Sequence, residues 1–253
     1  MHKGAYIVAR NNEKGFTMKN ITIKTATLGV LIASALTGCV STAVMQKSDE
    51  VASLPSMAVS VDGQFGGFGT EGTFDVAGLY KGKFTRDASS TDWFGVYGTA
   101  EGGLAAEITK VDSNQNWKLA CHGDQGGLTL GGINMASSDP FECDILVENQ
   151  KVGSYSIKPE RKLIGDADEK GSITLDGTTL QVAAVKTAQG SSFSGGYPLG
   201  YSFMLNGKEV AATETNSHIS IQMMEDLTPE QKDAVVVGSI ASALSWRPEY
   251  EDE

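Results

Sequence analysis

The chain has 253 residues, of which 40% are hydrophobic, enough for one ordinary domain with a buried core. The chain contains 20 Lys and Arg residues and 31 Asp and Glu residues, and five of the basic residues but only one of the acidic residues precede Cys39. The remainder therefore has 15 basic and 30 acidic residues, a formal net charge of −15. Such a surface repels phosphate backbones and anionic lipid head groups, which argues against nucleic-acid binding and against electrostatic adhesion to membranes.

The N-terminal segment has the three-part layout of a secretory signal. Two lysines follow Met18, an uncharged stretch covers residues 25–37, and small residues come next. The apolar part is too short to remain as a membrane-spanning helix. We therefore expect residues 1–38 to be removed as a signal peptide, with Met18 as the true start.

The four residues Leu36, Thr37, Gly38 and Cys39 resemble the lipobox of bacterial lipoproteins, a signature of processing and not of fold. The resemblance implies cleavage before Cys39, acylation of Cys39 and attachment to a membrane by lipid alone, which is effectively permanent with more than one acyl chain. In that family an aspartate directly after the cysteine favours the inner membrane, and this chain has Val40. The resemblance thus implies an outer-membrane protein, on the periplasmic face or at the cell surface.

Residues 39–56 show no sustained hydrophobic period and reach Pro55 near their end. This pattern predicts a lipidated, flexible tether that spans roughly 20 to 25 Å on average. A domain held in this way is expected to move about its anchor.

From residue 57 to 224, short alternating runs are separated by glycine, asparagine and aspartate, which predicts many strands and few helices. Strands are expected at 73–80, 94–100, 104–108, 117–121, 143–147 and 218–223. Spacing of this kind is typical of a mainly β fold, either an antiparallel sandwich or a barrel, and both remain open.

Two hairpins can be assigned a register from their turns. An Asp176-Gly177 turn sets Ile173 opposite Leu180 and Leu175 opposite Thr178. An Asn206-Gly207 turn sets Phe203 opposite Val210 and Leu205 opposite Lys208.

The C-terminal part changes character and predicts one α-helix over about 228–247. Thr228, Pro229 and Gln231 supply an N-cap, a first-turn proline and a capping-box partner, and the pattern stops before Pro248. We expect this helix to close over the sheet or the barrel mouth, as part of a single domain over 57–253.

Three cysteines leave one odd thiol in an exported protein, and the lipobox resemblance assigns Cys39 to the lipid. Cys121 and Cys143 alternate with apolar residues on their strands, so both sulfurs face one apolar layer, and a disulfide persists in an oxidising compartment. A metal pair or a redox pair are the alternatives, although there is no CxxC spacing and few ligands accompany them.

Two glycine- and acid-containing motifs have ordinary explanations. Gly67, Gly69 and Gly72 match GxGxxG, but a strand-like run follows where a nucleotide site needs a helix, so a glycine-rich turn or bulge is preferred. Residues 166–171 begin like a calcium loop, but Lys170 and Gly177 occupy ligand positions, which favours a solvated acidic turn. We expect no metal and no cofactor.

His122 and His218 fall on polar faces of their strands. Either histidine could in principle form a catalytic triad with Asp124 or Glu142 and a serine, but the sequence has no GxSxG or SxxK motif beside them. Two carboxylates meeting across a cleft for sugar hydrolysis also remain open.

Trp93, Phe94 and Tyr97 concentrate aromatic rings in glycine-rich surroundings, where they either stack on a glycan or peptide or fill a core. The sequence therefore favours an envelope lipoprotein with a binding or structural role toward a ligand, a glycan or another envelope protein. The alternative is an inhibitor of a cell-wall hydrolase, or a hydrolase that acts on the cell wall.

Overall fold

The computed structural model describes residues 43–62, 71–85, 104–122, 140–160, 168–191, 196–216 and 218–245, with the backbone of 128–130 and 133–135. The aromatic residues Trp93, Phe94 and Tyr97, and the lipobox with Cys39, lie outside these ranges.

Within these ranges, twelve strands form a closed antiparallel barrel in which each strand pairs with its neighbours in chain order, and the last strand pairs with the first. The mainly β prediction is confirmed, and of its two architectures the barrel is the one formed. The barrel strands are β1 (Met57–Asp62), β2 (Glu71–Val76), β3 (Tyr80–Thr85), β4 (Leu104–Lys110), β5 (Asn116–His122), β8 (Phe141–Val147), β9 (Gln150–Glu160), β10 (Asp168–Leu175), β11 (Thr178–Val185), β12 (Gly200–Leu205), β13 (Lys208–Glu214) and β14 (Ser220–Met223). Between β5 and β8, the short strands β6 (Leu128–Leu130) and β7 (Ile133–Met135) pair with each other.

The connections between strands divide the barrel into two unlike ends. Because successive strands run in opposite directions, the connections alternate between the ends. One end, the tight-turn end, has the connections 77–79, 111–115, 148–149, 176–177 and 206–207. The other, the long-connection end, has 63–70, 86–103, 123–140, 161–167, 186–199 and 215–219.

The two predicted hairpins are present, one of them with a shifted register. Ile173 pairs with Leu180 and Leu175 with Thr178, as predicted. In the second hairpin Leu205 pairs with Lys208 as predicted, but Phe203 pairs with Ala211, because β13 has an extra residue, Val210, where the register shifts between Phe203 and Met204. The extra residue of a bulge has no signature in the alternation of this strand, so the register could not be followed past it.

The strand predicted over 73–80 is two strands joined by a turn. Ala77 and Gly78 both have positive φ, at 51° and 74°, and Val76 pairs directly with Tyr80 across the turn. The apolar alternation continues through this turn, which concealed it.

The C-terminal helix, α2 (Pro229–Leu244), has the predicted Thr228–Gln231 capping box. It lies inside the barrel and not over its mouth, which corrects the expected position. Its residues Ala234–Ser242 are all buried, and the hydroxyl oxygen of Tyr155, on β9, lies 2.8 Å from that of Ser242. A helix that is apolar all round must be buried all round, and a twelve-stranded barrel is wide enough to hold it.

The helix packs closely because it presents small residues to large ones on the barrel wall. A Cβ built on Gly238 would lie 2.8 Å from a ring carbon of Phe203 and 3.1 Å from Ile173 Cδ1. The largest fully buried side chains of the core come from β5, β9 and β12, namely Trp117, Tyr155 and Phe203. The barrel interior is therefore the hydrophobic core of the domain.

Cys121 and Cys143 are bonded to each other, as predicted. They are directly paired residues of β5 and β8, and both sulfur-bearing side chains belong to the core. The bond joins the two strands at the base of the 123–140 connection, at the long-connection end.

Candidate functional site

Residues 43–56, which we call the strap, lie along the outside of β12, β13 and β14. Met45 is 1% exposed and forms a bridge with Ala188, and Val51 is fully buried in the short helix α1 (Asp49–Ala52). Residues 43–56 therefore differ from the flexible tether predicted over 39–56. The prediction missed this because two isolated apolar side chains, each filling a site on the barrel, leave no periodic pattern.

Two glutamates of β13 bind the strap. The Met45 amide donates to Glu214 Oε1 at 3.0 Å, and the Ser48 amide donates to Glu209 Oε2 at 2.6 Å. Gln222 of β14 donates its side-chain amide to the carbonyl oxygens of Ala52 and Leu54. The barrel thus satisfies backbone groups that a free tether would leave to water.

An ion pair shielded from solvent lies at the centre of this contact. Lys47 Nζ is 2.8 Å from Glu214 Oε2, with the two side chains 8% and 14% exposed, and it also donates to Gln222 Oε1 at 2.8 Å. Sequence reasoning missed this cluster because Lys47 and Glu214 are 167 positions apart and neither lies in a recognisable motif.

A cavity of about 470 Å³ lies between the strap and strands β10 to β13. Charged side chains that line this cavity are paired with other groups of the protein. Lys186 Nζ lies 3.6 Å from Glu169 Oε1, and Glu209 accepts from both the Ser48 amide and the Ser202 hydroxyl. These pairings favour a structural role for the polar groups of this cavity.

A second polar cluster holds the start of α2 at the tight-turn end. Asp233 Oδ1 accepts a hydrogen bond from the Tyr80 hydroxyl at 2.5 Å and lies 3.0 Å from Lys110 Nζ. Burial, followed by the hydrogen bond and negative charge of Asp233, raises the pKa of the Tyr80 phenol far above its ordinary value. The neutral phenol thus serves as a donor that fixes the helix in the barrel.

His122 and Glu142 are brought together, but in an arrangement unsuited to a catalytic triad. They are paired residues next to the disulfide, with His122 Nε2 3.7 Å from Glu142 Oε2 and the side chains 53% and 45% exposed. On the neighbouring strand β9, Ser156 pairs with Glu142, so Glu142 lies between Ser156 and His122 in the sheet. A serine nucleophile needs the histidine beside it, with the carboxylate on the far side of the ring. His218, the other candidate, is exposed.

The segment that contains Trp93, Phe94 and Tyr97 connects β3 to β4, and its flanking residues Thr85 and Leu104 are both at the long-connection end.

The GxGxxG motif and the calcium-like motif are each described in part, and the described residues lie in strands. Gly72 belongs to β2, and Lys170 and Gly171 belong to β10. The solvated turn expected over 166–171 is therefore wrong from residue 168 onward, because β10 begins there to pair with β9.

Among the residues that the structure describes, no three His, Cys, Asp or Glu side chains are grouped to hold a metal ion. In the same part of the chain, no helix combines the length and apolar character needed to cross a membrane. Comparison with models of known families, with curated proteins and with solved structures gives no match to this chain.

Proposed function

We propose that this chain is an outer-membrane lipoprotein, anchored by acylated Cys39, whose barrel is a rigid scaffold for binding or structural contacts in the bacterial envelope. The observation that carries the scaffold assignment is the position of α2. Because the helix and the core residues around it occupy the barrel interior, binding falls to the outside of the barrel and to its connections.

The polar chemistry of the described surface supports a binding or structural role over a catalytic one. The most enclosed side chains of the described ion pairs, Glu169, Lys47 and Lys186, each lie against an opposite charge from another part of the fold. A catalytic acid or base needs an atom that can reach a substrate, whereas these ion pairs join separate parts of the fold to each other. The arrangement of His122, Glu142 and Ser156 points the same way.

Trp93, Phe94 and Tyr97 are the residues that we propose for contact with a glycan or an envelope protein. They belong to one of the longest connections, and long connections on a rigid scaffold are where binding residues concentrate. Aromatic rings supply large contact area at low conformational cost. No metal or cofactor enters this proposal.

The test is crosslinking in intact cells followed by affinity capture of the lipidated protein. We expect specific envelope partners or glycan to be retained by the wild-type chain and lost with the Trp93→Ala, Phe94→Ala, Tyr97→Ala variant. Tyr197→Ala serves as the control, because Tyr197 is an exposed aromatic residue of a different connection. Turnover of isolated cell wall by the purified protein, abolished by His122→Ala or Glu142→Gln, would contradict the proposal.

A further inference from the structure

We infer that the cavity beneath the strap and the adjoining outer face of β9 to β11 form one binding site for a neutral oligosaccharide. The site lies on the side of the barrel and consists of residues that the structure describes. It uses neither Cys39 nor the connection that contains Trp93. The inference therefore does not rest on the contacts proposed above, and the two can fail separately.

The cavity has the size and the mixed lining of a small-ligand site. Its volume of about 470 Å³ falls within the range of about 300–1,000 Å³ that is usual for such sites. Val185 and Met204 supply apolar surface, and Gln46, Thr187 and Ser202 supply uncharged groups that form hydrogen bonds. Apolar surface beside hydroxyl and amide groups matches a sugar ring, which has C–H faces and a rim of hydroxyls.

The charged side chains of the lining favour a neutral occupant. Lys47 and Lys186 are balanced by Asp168 and Glu209, although the whole chain has a formal net charge of −11. Lys186 Nζ lies 3.6 Å from Glu169 Oε1, with the two side chains 12% and 7% exposed. A charged ligand would have to compete with this enclosed pair, and separating such a pair is costly.

Glu209 is held in place and can still accept hydrogen bonds from a ligand. Its carboxylate accepts from the Ser48 amide and from the Ser202 hydroxyl. A carboxylate offers about four acceptor positions, so the remaining positions can accept from sugar hydroxyls. Because its two partners come from the strap and from β12, Glu209 is fixed before a ligand arrives, which lowers the entropic cost of binding.

Two rows of directly paired, uncharged polar residues, which we call the hydroxyl rows, cross the outer face of β9, β10 and β11. The first row consists of Ser156, Ser172 and Gln181, and it continues to the cavity residue Met204 on β12. The second row consists of Ser154, Thr174 and Thr179. These side chains point outward because they alternate with the core residues Tyr155, Ile173 and Leu180. The hydroxyl rows therefore lead from the barrel surface to the cavity.

The spacing of the hydroxyl rows suits an extended sugar chain. Neighbouring strands lie about 4.8 Å apart, which is close to the length of one sugar unit, so a chain that crosses the strands can present one unit to each. The hydroxyl oxygens of Thr174 and Thr179 are 3.0 Å apart, and each hydroxyl can both donate and accept. On β8, Glu142 and Asp144 end the two rows with charge. Three strands and the cavity together therefore match a chain of about four neutral units.

The experiment measures the binding of defined tetrasaccharides to the protein purified from cells, by isothermal titration calorimetry. The neutral probes are cellotetraose and tetra-N-acetylchitotetraose, and the anionic probe is tetragalacturonate. We expect at least one neutral probe to bind, and the anionic probe to bind at least about tenfold more weakly because it adds carboxylates beside Asp168 and Glu209. Absence of binding by both neutral probes, or a preference for the anionic probe, overturns the inference.

A pair of matched double variants locates the bound probe. Ser172→Ala with Gln181→Ala removes two polar side chains from the row that leads to the cavity, and it is expected to weaken binding about tenfold. The control, Ser60→Ala with Thr73→Ala, removes two exposed polar side chains of β1 and β2 and is expected to leave the affinity unchanged. Equal weakening by both double variants, or none by the first, overturns the inference.

Hydrogen exchange tests whether the probe reaches the cavity. Gln46, Lys47 and Ser48 of the strap form one wall of the cavity, so a ligand held there and the docked strap should stabilise each other. We expect the bound neutral probe to slow exchange over residues 43–56 and to leave exchange in β3, on the far side of the barrel, unchanged. Binding that leaves exchange over 43–56 unaffected would place the probe away from the cavity, which overturns the inference.

Discussion

Lys47 and Glu214 form an ion pair of 2.8 Å, largely shielded from solvent, between the N-terminal strap and the outer face of the barrel. Removing one member of such a pair leaves the other charge without its partner in a poorly solvated site. This contact turns what the sequence suggests is a tether into part of the folded domain.

Lys47→Ala is expected to release the strap while the barrel stays folded. The loss of about 1–3 kcal/mol falls on the docking equilibrium of residues 43–56, since Glu214 loses its cationic partner and keeps the Met45 amide. Hydrogen exchange followed by mass spectrometry should show faster exchange over 43–56 and unchanged exchange in β8 to β10. The matched control is Lys208→Ala, which removes an exposed pair with Glu50 from the same strap and should change little. Equal exchange in both variants would contradict the importance of the shielded pair.

Reduction of the Cys121–Cys143 bond is expected to lower the free energy of unfolding by about 3 kcal/mol, because the bond closes a loop with a sequence separation of 22. Urea unfolding of the oxidised and reduced protein measures the change. The Cys121→Ala, Cys143→Ala variant should show no response to the reductant. A reductant effect that persists in this double variant would assign the change to another cause.

Tyr80 is expected to make the domain lose stability at alkaline pH. Burial and Asp233 raise the pKa of the folded-state phenol, whereas the phenol in the unfolded chain ionises near pH 10. The contribution is therefore complete below about pH 10 and is lost as the pH rises beyond it, where only the unfolded state ionises. The difference in unfolding free energy between the wild type and Tyr80→Phe should accordingly be about 1–2 kcal/mol at neutral pH and shrink above pH 10.

Tyr197→Phe is the control for this prediction, because Tyr197 is 55% exposed. If Tyr80→Phe and Tyr197→Phe give the same pH profile, the Tyr80–Asp233 contact does not hold the helix.

Gly238→Ala is expected to destabilise the protein by about 1–3 kcal/mol, although alanine is the better helix former by roughly 1 kcal/mol. The added methyl group would meet Phe203 at 2.8 Å in the packed interior. Urea unfolding followed by tryptophan fluorescence gives the sign directly. Stabilisation by the alanine would mean that α2 does not pack against β12 as described.

Local patterns predicted the features that depend on near neighbours in the chain. The Asp176-Gly177 turn fixed its hairpin because both residues have the positive φ, 47° and 81°, that this turn needs. The capping box of Thr228 and Gln231 fixed the start of α2 in the same way. The disulfide followed from the faces on which Cys121 and Cys143 lie.

The features that depend on distant residues could not be predicted. The Lys47–Glu214 ion pair and the Met45–Ala188 bridge each join residues more than 140 positions apart, and neither contact has a local sequence pattern. The interior position of α2 had a signal, since Val235, Val236 and Val237 are consecutive and face all sides of the helix. A helix over a barrel mouth keeps one polar face in water, and these three valines argue against such a face, although the sequence prediction placed the helix there.

The most direct test of the account is the mass of the N-terminal peptide of the protein isolated from cells. We predict that the chain begins at Cys39 and carries acyl chains, and that Cys39→Ser leaves the envelope fraction. An intact, unacylated N-terminus that includes residues 18–38, or a Cys39→Ser variant that stays with the outer membrane, would contradict the account.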